Sequence, residues 1–396
     1  MLEKRFDWLG DAPIEYKFYG DTVSVFYDDA EHSYVRCEPN GERVLIPGVT
    51  TVVHVIDKSA ALTQWAANMA CSYLREEVEM ASVMGNGWAD MNDVVFEKWL
   101  GNAKYAHKTY KEKAGETGHI AHAWIEDYIK AAIKGQTERM ARLVDDMPED
   151  IRARNGCIAA LDWMQRHKVR WLYTERKIYS KQHDFAGTMD GLAYVTSCGD
   201  AKCCGEVVDL VRIPATFDDV LAVIDWKTSN ALYPEYDYQT AAYVKAFNEE
   251  SGLGVEYRFI ARLGKEDAEF ESRFLPPERL QDDVSIFLSC LALYSALERR
   301  KEADKAAHAA LKAADKAAKE AAKEAAKARK AEYKDRVKAA KADAKDFYKT
   351  LRATGMPVEE ATAQSARHLA DGLAFLSEMY SDLAKTDDEE TLELAA

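Results

Sequence analysis

Leu221-Ala222-Val223-Ile224 is a short apolar run, partly β-branched, that ends abruptly in Asp225-Trp226-Lys227. Such a run predicts a buried strand with an acid and a lysine at its tip. Strand alternation puts Asp225 and Lys227 on one face and Trp226 on the other. A second strand is predicted at Leu192-Ala193-Tyr194-Val195, with Asp190 in the Gly187-Thr188-Met189-Asp190-Gly191 stretch just before it. Residues 169–179 also alternate and carry Glu175, and residues 254–263 and 268–275 predict two more strands, the second antiparallel to the first. Helical periodicity covers residues 59–79, 91–134 and 145–167, with a break at Gly85-Asn86-Gly87 and an interruption near Gly115. A further amphipathic helix carries Tyr236, Gln239 and Tyr243. Ahead of these, residues 1–56 read as strands and turns, including a hairpin around Asp28-Asp29-Ala30-Glu31. Together they predict an α/β chain: a mixed sheet flanked by helices.

Beyond Pro277 no Gly or Pro occurs until Gly355, and the chain is dominated by Ala, Lys, Glu and Asp. Alanine has the highest helix propensity, so residues 299–349 predict one helix about 75 Å long. Its large apolar residues are few: Leu311, Tyr333, Val337, Phe347 and Tyr348. A coiled coil needs a sustained apolar seam, so the middle of this segment reads as a solvated single helix. A final amphipathic helix over residues 357–383 (Ala361, Leu369, Leu373, Leu376, Met379) precedes an acidic tail at Asp387-Asp388-Glu389-Glu390. The expected divisions are residues 1–56, 57–298, 299–354 and 355–396.

Composition sharpens this picture. The net charge is −15, yet residues 299–349 hold 17 Lys/Arg against 9 Asp/Glu, a local +8 that leaves −23 elsewhere. An acidic body argues against binding nucleic acid over the whole surface and leaves a confined cleft or the basic helix for that purpose. Seven cysteines, without framework spacing, fit free thiols in a reducing compartment. With no run of ~18 apolar residues and no signal-peptide pattern, a soluble cytoplasmic protein without a membrane segment is expected. No Gly-x-x-x-x-Gly-Lys-Ser/Thr loop occurs, so no ATP motor is expected.

Two carboxylates and a lysine at one sheet edge suit a hard cation and a phosphodiester, because such cations take carboxylate oxygens plus substrate phosphate. Asp-x-Lys alone is a weak signal, and by itself it is more often a solvated ion pair. The ordered set Glu175, Gly187-x-x-Asp190, Asp225-x-Lys227-Thr228-Ser229 and Gln239-x-x-x-Tyr243, with Gly118-x-x-x-His122 ahead of it, resembles the RecB-like branch of the PD-(D/E)XK nuclease superfamily. It is most similar to phage-type exonucleases and CRISPR-associated RecB-like exonucleases, over roughly residues 20 to 275. This resemblance implies the restriction-endonuclease-like fold and a Mg²⁺- or Mn²⁺-dependent DNA exonuclease of phage recombination, repair or processing. Asp190, Asp225, His122 and the Trp226 backbone carbonyl would be metal ligands. Glu175 would be either a further ligand or a rim charge. Lys227 would assist attack by water, while Thr228, Gln239 and Tyr243 would touch the DNA or brace the site. The implied partners are DNA and a phage recombination or single-strand-binding protein, with the oligomeric state open.

Several alternatives stay open on the residues alone. His119, His122 and Glu126 share a helix face that could host zinc, although His-Glu-x-x-His is absent. Relatives often carry Gly-Thr where this chain has Gly118-His119, which leaves the role of His119 open. The cysteines of the CRISPR-associated relatives, one upstream and three downstream, have no counterpart: only Cys290 follows Tyr243, and no iron–sulfur cluster is expected. Cys198, Cys203 and Cys204 make no separated Cys-x-x-Cys pairs, so residues 196–219 read as a surface excursion. The long helix reads as a spacer, a DNA-tracking arm or a weak oligomerisation arm. A catalytically inactive nuclease fold working as a DNA-binding scaffold through that helix is the rival function.

Overall fold

A computed structural model describes residues 14–28, 33–38, 40–84, 93–208 and 211–381. The expected loop at Asp29-Ala30-Glu31, the Gly85-Asn86-Gly87 break, Met91 and the acidic tail lie outside the described residues. Two compact units are present, Met1–Leu297 and Glu298–Ala396.

The first unit opens with an antiparallel meander of β1 (Ile14–Phe18), β2 (Val23–Asp28), β3 (Ser33–Cys37) and β4 (Arg43–Ile46). Helices α1 (Val49–Val53), α2 (Ser59–Val83), α3 (Asp93–Ala103), α4 (Ala106–Ile133), α5 (Thr137–Asp145) and α6 (Ile151–Arg166) follow. Next come β5 (Arg170–Ser180), β6 (Phe185–Val195), a short α7 (Ala201–Cys204) with a hairpin of β7 (Gly205–Val208) and β8 (Val211–Pro214), and β9 (Val220–Lys227). Helix α8 (Glu235–Ser251), β10 (Tyr257–Leu263), β11 (Phe270–Leu275) and the start of α9 (Leu280–Ala353) complete the unit.

The central sheet has the order β11-β10-β9-β6-β5. Only the β9–β10 pair is parallel, and α8 makes that crossover. The strand pleat sorts the core into two layers. Ala222, Ile224 and Trp226 face α4 and α6, where Trp163 and Trp226 meet edge to face at 5.3 Å. On the other side Val223 joins Phe185, Met189, α1 and α8. Each fully buried Val, Ile or Phe contributes roughly 1.5–3 kcal/mol. The meander is tied to β5 and β6 by Tyr34 Oη and Thr188 Oγ1 at 2.9 Å and by the Arg36–Asp184 ion pair at 3.1 Å.

Three expectations change. Helix α4 runs straight through Gly115, and the break falls instead at Lys104 and Tyr105. One glycine costs a helix only about 1 kcal/mol, which a long packed helix absorbs. The helix expected over residues 145–167 starts later, as α6 at Ile151, where the Asp150 carboxylate accepts the Ala153 N–H at 2.7 Å, and a separate α5 ends at Asp145. Pro148 disfavours helical backbone in the residue before it, which separates them. Residues 196–219 are not simply a surface excursion, since Cys203 and Cys204 are buried in the main core. Among the described residues, one helix, α9, holds a stretch long and apolar enough by composition alone to cross a bilayer. Its Val284, Phe287 and Leu291 are buried, with Phe287 edge to face on Phe185 at 4.9 Å.

In the second unit every residue from 301 to 329 is exposed, as suits a solvated helix. Beyond it, Tyr333, Val337, Ala340, Ala344 and Phe347 recur at spacings of four and three and form a short seam. Helix α10 (Val358–Met379) folds back along it: Val337 meets Leu376 and Tyr380, and Ser365 Oγ donates to the Ala344 carbonyl at 2.6 Å.

Candidate metal centre

At Asp190 and Asp225 the sheet forks. The β6–β9 ladder runs from Val195↔Val220 to Gly191↔Ile224 and stops. The β5–β6 ladder continues to Ser180↔Phe185, while the β9–β10 ladder continues to Arg262↔Lys227. Where Trp226 would next pair with the β6 backbone, its N–H donates instead to Asp190 Oδ2 at 2.9 Å. The Asp190 carboxylate thus takes the place of a ladder bond and holds the fork open.

Around the fork the structure gathers His122 from α4, Glu175 from β5 and Asp190 from β6, with one ligand atom of each within 4.8 Å of the others. Asp225 stands beside this trio, fully buried, its Oδ2 2.6 Å from Lys227 Nζ. Its Oδ1 has no hydrogen-bond partner among the described residues. Lys227 Nζ also lies 4.8 Å from the centre of the Tyr236 ring, whose π face favours the ammonium.

Local sequence explains each placement. Gly118 lets α4 approach the end of β9, since a Cβ there would fall 2.7 Å from Thr228 Oγ1. One turn later on the same helix face comes His122. Gly187 plays the same part for α8 and α1: a Cβ would sit 2.9 Å from Tyr243 Cε1 and 3.1 Å from Val49 Cγ2. Glu175 has a φ of +49°, uncommon for a residue with a Cβ, and lies between the pairs Thr174↔Gly191 and Arg176↔Met189, opposite Asp190. Backbone strain of this kind costs about 1–3 kcal/mol and persists where the surroundings impose it.

Electrostatics follow from burial. Removal from water, together with Asp190 and Glu126, pushes the Glu175 carboxyl up to about 8. Burial raises Asp225 to about 6 against the opposing pull of Lys227, and it raises Asp190 as well. His122 falls to about 4, through burial and then the nearby Lys227 charge, so its imidazole is neutral at pH 7. Burial opposes the Lys227 ammonium, but Asp225 and Asp190 outweigh it and leave the pKa above its ordinary value. Three carboxylates crowded out of water, a neutral imidazole and an unpartnered carboxylate oxygen make a donor set that fits a divalent cation.

The other sequence-predicted residues are placed as follows. Gln239 Nε2 donates to Tyr243 Oη at 2.6 Å, and both side chains are buried. Tyr243 lies near enough to Asp225 and Asp190 for their charges to add to the effect of burial in raising its pKa. Thr228 faces Gly118. The alternative set His119, His122 and Glu126 is not gathered: His119 is exposed and Glu126 pairs with Lys130. Reading the sequence missed Tyr236 as the lysine's neighbour, although its place at the start of α8 was a usable signal.

A forked sheet that presents acids, a lysine and a histidine at its opening belongs to the class of proteins that bind a cation next to a phosphodiester. The sequence profile of the PD-(D/E)XK nuclease superfamily matches residues 99–336, more than half of the chain, and the protein belongs to that superfamily. Its members are typically metal-dependent nucleases acting on DNA. Comparison with curated proteins yields no match.

Proposed function

We propose that this protein is a Mg²⁺- or Mn²⁺-dependent DNA exonuclease of the RecB-like, phage type, acting in phage DNA recombination, repair or processing. The observation that carries the reading is the fork itself, where His122, Glu175 and Asp190 gather with the Asp225–Lys227 pair beside them at a partly buried opening. His122, Asp190, Asp225 and the Trp226 carbonyl would hold the cation, with Glu175 as a further donor. A divalent ion held there would supply Lewis-acid polarisation of the phosphoryl group and of the attacking water.

The chain's own groups do the rest. Asp225 accepts from the Lys227 ammonium and fixes it at the mouth of the fork. From there Lys227 orients water and stabilises charge that develops on phosphoryl oxygens. Neutral His122 offers a lone pair instead of a competing positive charge. Of the two roles open for Gln239 and Tyr243, burial and their mutual hydrogen bond favour bracing over contact with DNA. A shallow groove lined by Lys108, Lys111, Glu112, Gly115, Glu116 and His119 runs along α4 toward His122 and offers a phosphate track.

End-labelled linear DNA and closed circular DNA, incubated with and without Mg²⁺ or Mn²⁺, test the reading. Release of label from linear DNA alone, dependent on the cation, is expected. Cutting of circles would make the enzyme an endonuclease. DNA binding without cleavage under either cation would favour the inactive scaffold.

A further inference from the structure

Away from the fork, the end of α6 and residues 196–204 bring three thiols and an imidazole together. His167, the residue capping α6, is fully buried. Its Nδ1 lies 3.0 Å from the Thr196 carbonyl oxygen. A carbonyl only accepts, so Nδ1 carries the hydrogen and Nε2 presents its lone pair. That lone pair faces Cys203 Sγ at 2.8 Å. The ligand atoms of His167, Cys198 and Cys203 all lie within 4.8 Å of one another, and Cys198 Sγ is 3.4 Å from Cys204 Sγ.

The plain alternative is a set of buried cysteines acting as small apolar residues, with one S–H donated to the imidazole. Three observations favour a metal. First, an imidazole whose far nitrogen donates to a backbone carbonyl is the arrangement that orients a metal-bound histidine. Second, tetrahedral zinc with Zn–S near 2.3 Å needs S···S separations of about 3.8 Å, and Cys198 Sγ and Cys204 Sγ are already 3.4 Å apart, while the 2.8 Å His167 Nε2–Cys203 Sγ contact has to open to about 3.5 Å as the ion enters. Third, although burial raises the Cys198 and Cys203 thiols, two groups there oppose it: Ser272, which accepts from Trp163 Nε1 at 3.0 Å, directs its hydroxyl at Cys203, and the Arg166 charge lies near both Cys198 and Cys203.

We propose that His167, Cys198 and Cys203, with Cys204 as the fourth donor, form a structural zinc site that pins residues 196–219 to the end of α6. Cys204 Sγ now sits 3.5 Å from the Asp200 carbonyl and 3.3 Å from Ser197 Oγ, so its ligation needs a side-chain rotation. Each thiol releases its proton to solvent as the ion enters. The ion neutralises thiolates that burial would otherwise keep protonated.

The full chain, purified under reducing conditions, should carry about one equivalent of zinc, and an Asp190→Asn, Asp225→Asn variant should keep it, because the fork is not its source. Replacing zinc with Co²⁺ should produce a thiolate-to-cobalt charge-transfer band in the near ultraviolet, which carboxylate and imidazole ligands cannot give. That band and the bound zinc should be lost in a Cys198→Ser, Cys203→Ser variant. Should this variant not fold, Cys198→Ser alone decides, since Cys198 is only half-buried: its cobalt band should weaken while circular dichroism shows an intact fold. A strong chelator should lower the melting temperature of the wild type and lower that of Cys198→Ser by less. Substoichiometric zinc without a thiolate band, a disulfide joining Cys198 to Cys203 or Cys204, or iron with acid-labile sulfide would each overturn the proposal.

Discussion

Asp225 and Lys227 are two residues apart on one strand and touch, yet one oxygen of that buried carboxylate has no hydrogen-bond partner among the described residues. Asp225→Asn keeps the shape and removes the charge, so the fold should survive while cleavage falls by at least about a hundredfold. Rates on labelled DNA together with a thermal melt check this; a wild-type rate would place the chemistry elsewhere. The titrations give a second expectation. Glu175, at about 8, keeps its proton near pH 7 in the metal-free fold, whereas an unfolded glutamate has lost it. The folded state therefore binds more protons between about pH 4.5 and 8, and this group's contribution to stability falls as pH rises through that window. His122, lowered to about 4, acts in the opposite sense: its contribution is present above about pH 6.5 and is lost as pH falls toward 4. A cation needs ionised carboxylates and a neutral imidazole, so binding at pH 7 should expel close to one proton, and the release should vanish above about pH 9. Calorimetry in two buffers of different ionisation heat measures this, and Glu175→Gln should remove most of it. At this scale Asp190, Asp225 and Lys227 were legible because strand alternation fixes where such side chains point. The cysteine cluster was not, because its histidine lies 31 residues before Cys198 at a helix end, and no local spacing records that approach.

Helix α4 reaches the fork because Gly118 lets it lie against Thr228. Gly118→Ala should therefore push the helix away from β9 or force the threonine to rotate, with a cost of about 1–3 kcal/mol. His122, one turn on, would shift with it, so cation affinity should drop along with stability. Adding Thr228→Ala removes the colliding hydroxyl and should restore much of both, whereas additive losses in the double variant would show that this approach does not set the helix position. The first turn of α9 is anchored differently, by the fully buried Arg258, which donates to Asp283 Oδ2 at 2.7 Å and to the Asp237 carbonyl at 2.8 Å. Asp283→Ala leaves that guanidinium short of a partner and should cost about 3–5 kcal/mol in a denaturant melt. Strands β6, β9, β10 and β11 were readable as short apolar runs with sharp polar ends. Helix ends were less so, because a single glycine such as Gly115 weakens a helix only slightly while tertiary packing chooses the break. For α10 the amphipathic pattern left docking on the long helix and binding a partner both open, and it did not reveal the seam, because two of its positions are Ala340 and Ala344, which add no apolar bulk to the pattern.

On the scale of the whole molecule, the uneven charge is the feature that most invites a test. Residues 299–349 carry +8 in a chain of net −15, and residues 301 to 329 are exposed throughout. If this segment follows DNA, its lysines neutralise phosphates and release counterions. Deleting it should then flatten the slope of log affinity against log salt by about 0.9 for every phosphate it had neutralised. Interspersed acids weaken the field, and screening over about 8 Å in physiological salt confines it to close approach. Ending the chain after Leu297 retains Val284, Phe287 and Leu291, which are buried, and keeps the fork residues, all of which belong to the first unit. The shortened protein should fold by circular dichroism and hydrolyse a short oligonucleotide at close to the full-length rate. It should bind long DNA more weakly and with a flatter salt dependence. Unchanged affinity and slope would make the helix a spacer, and loss of oligonucleotide hydrolysis in a folded truncation would mean that the metal centre depends on residues beyond the first unit.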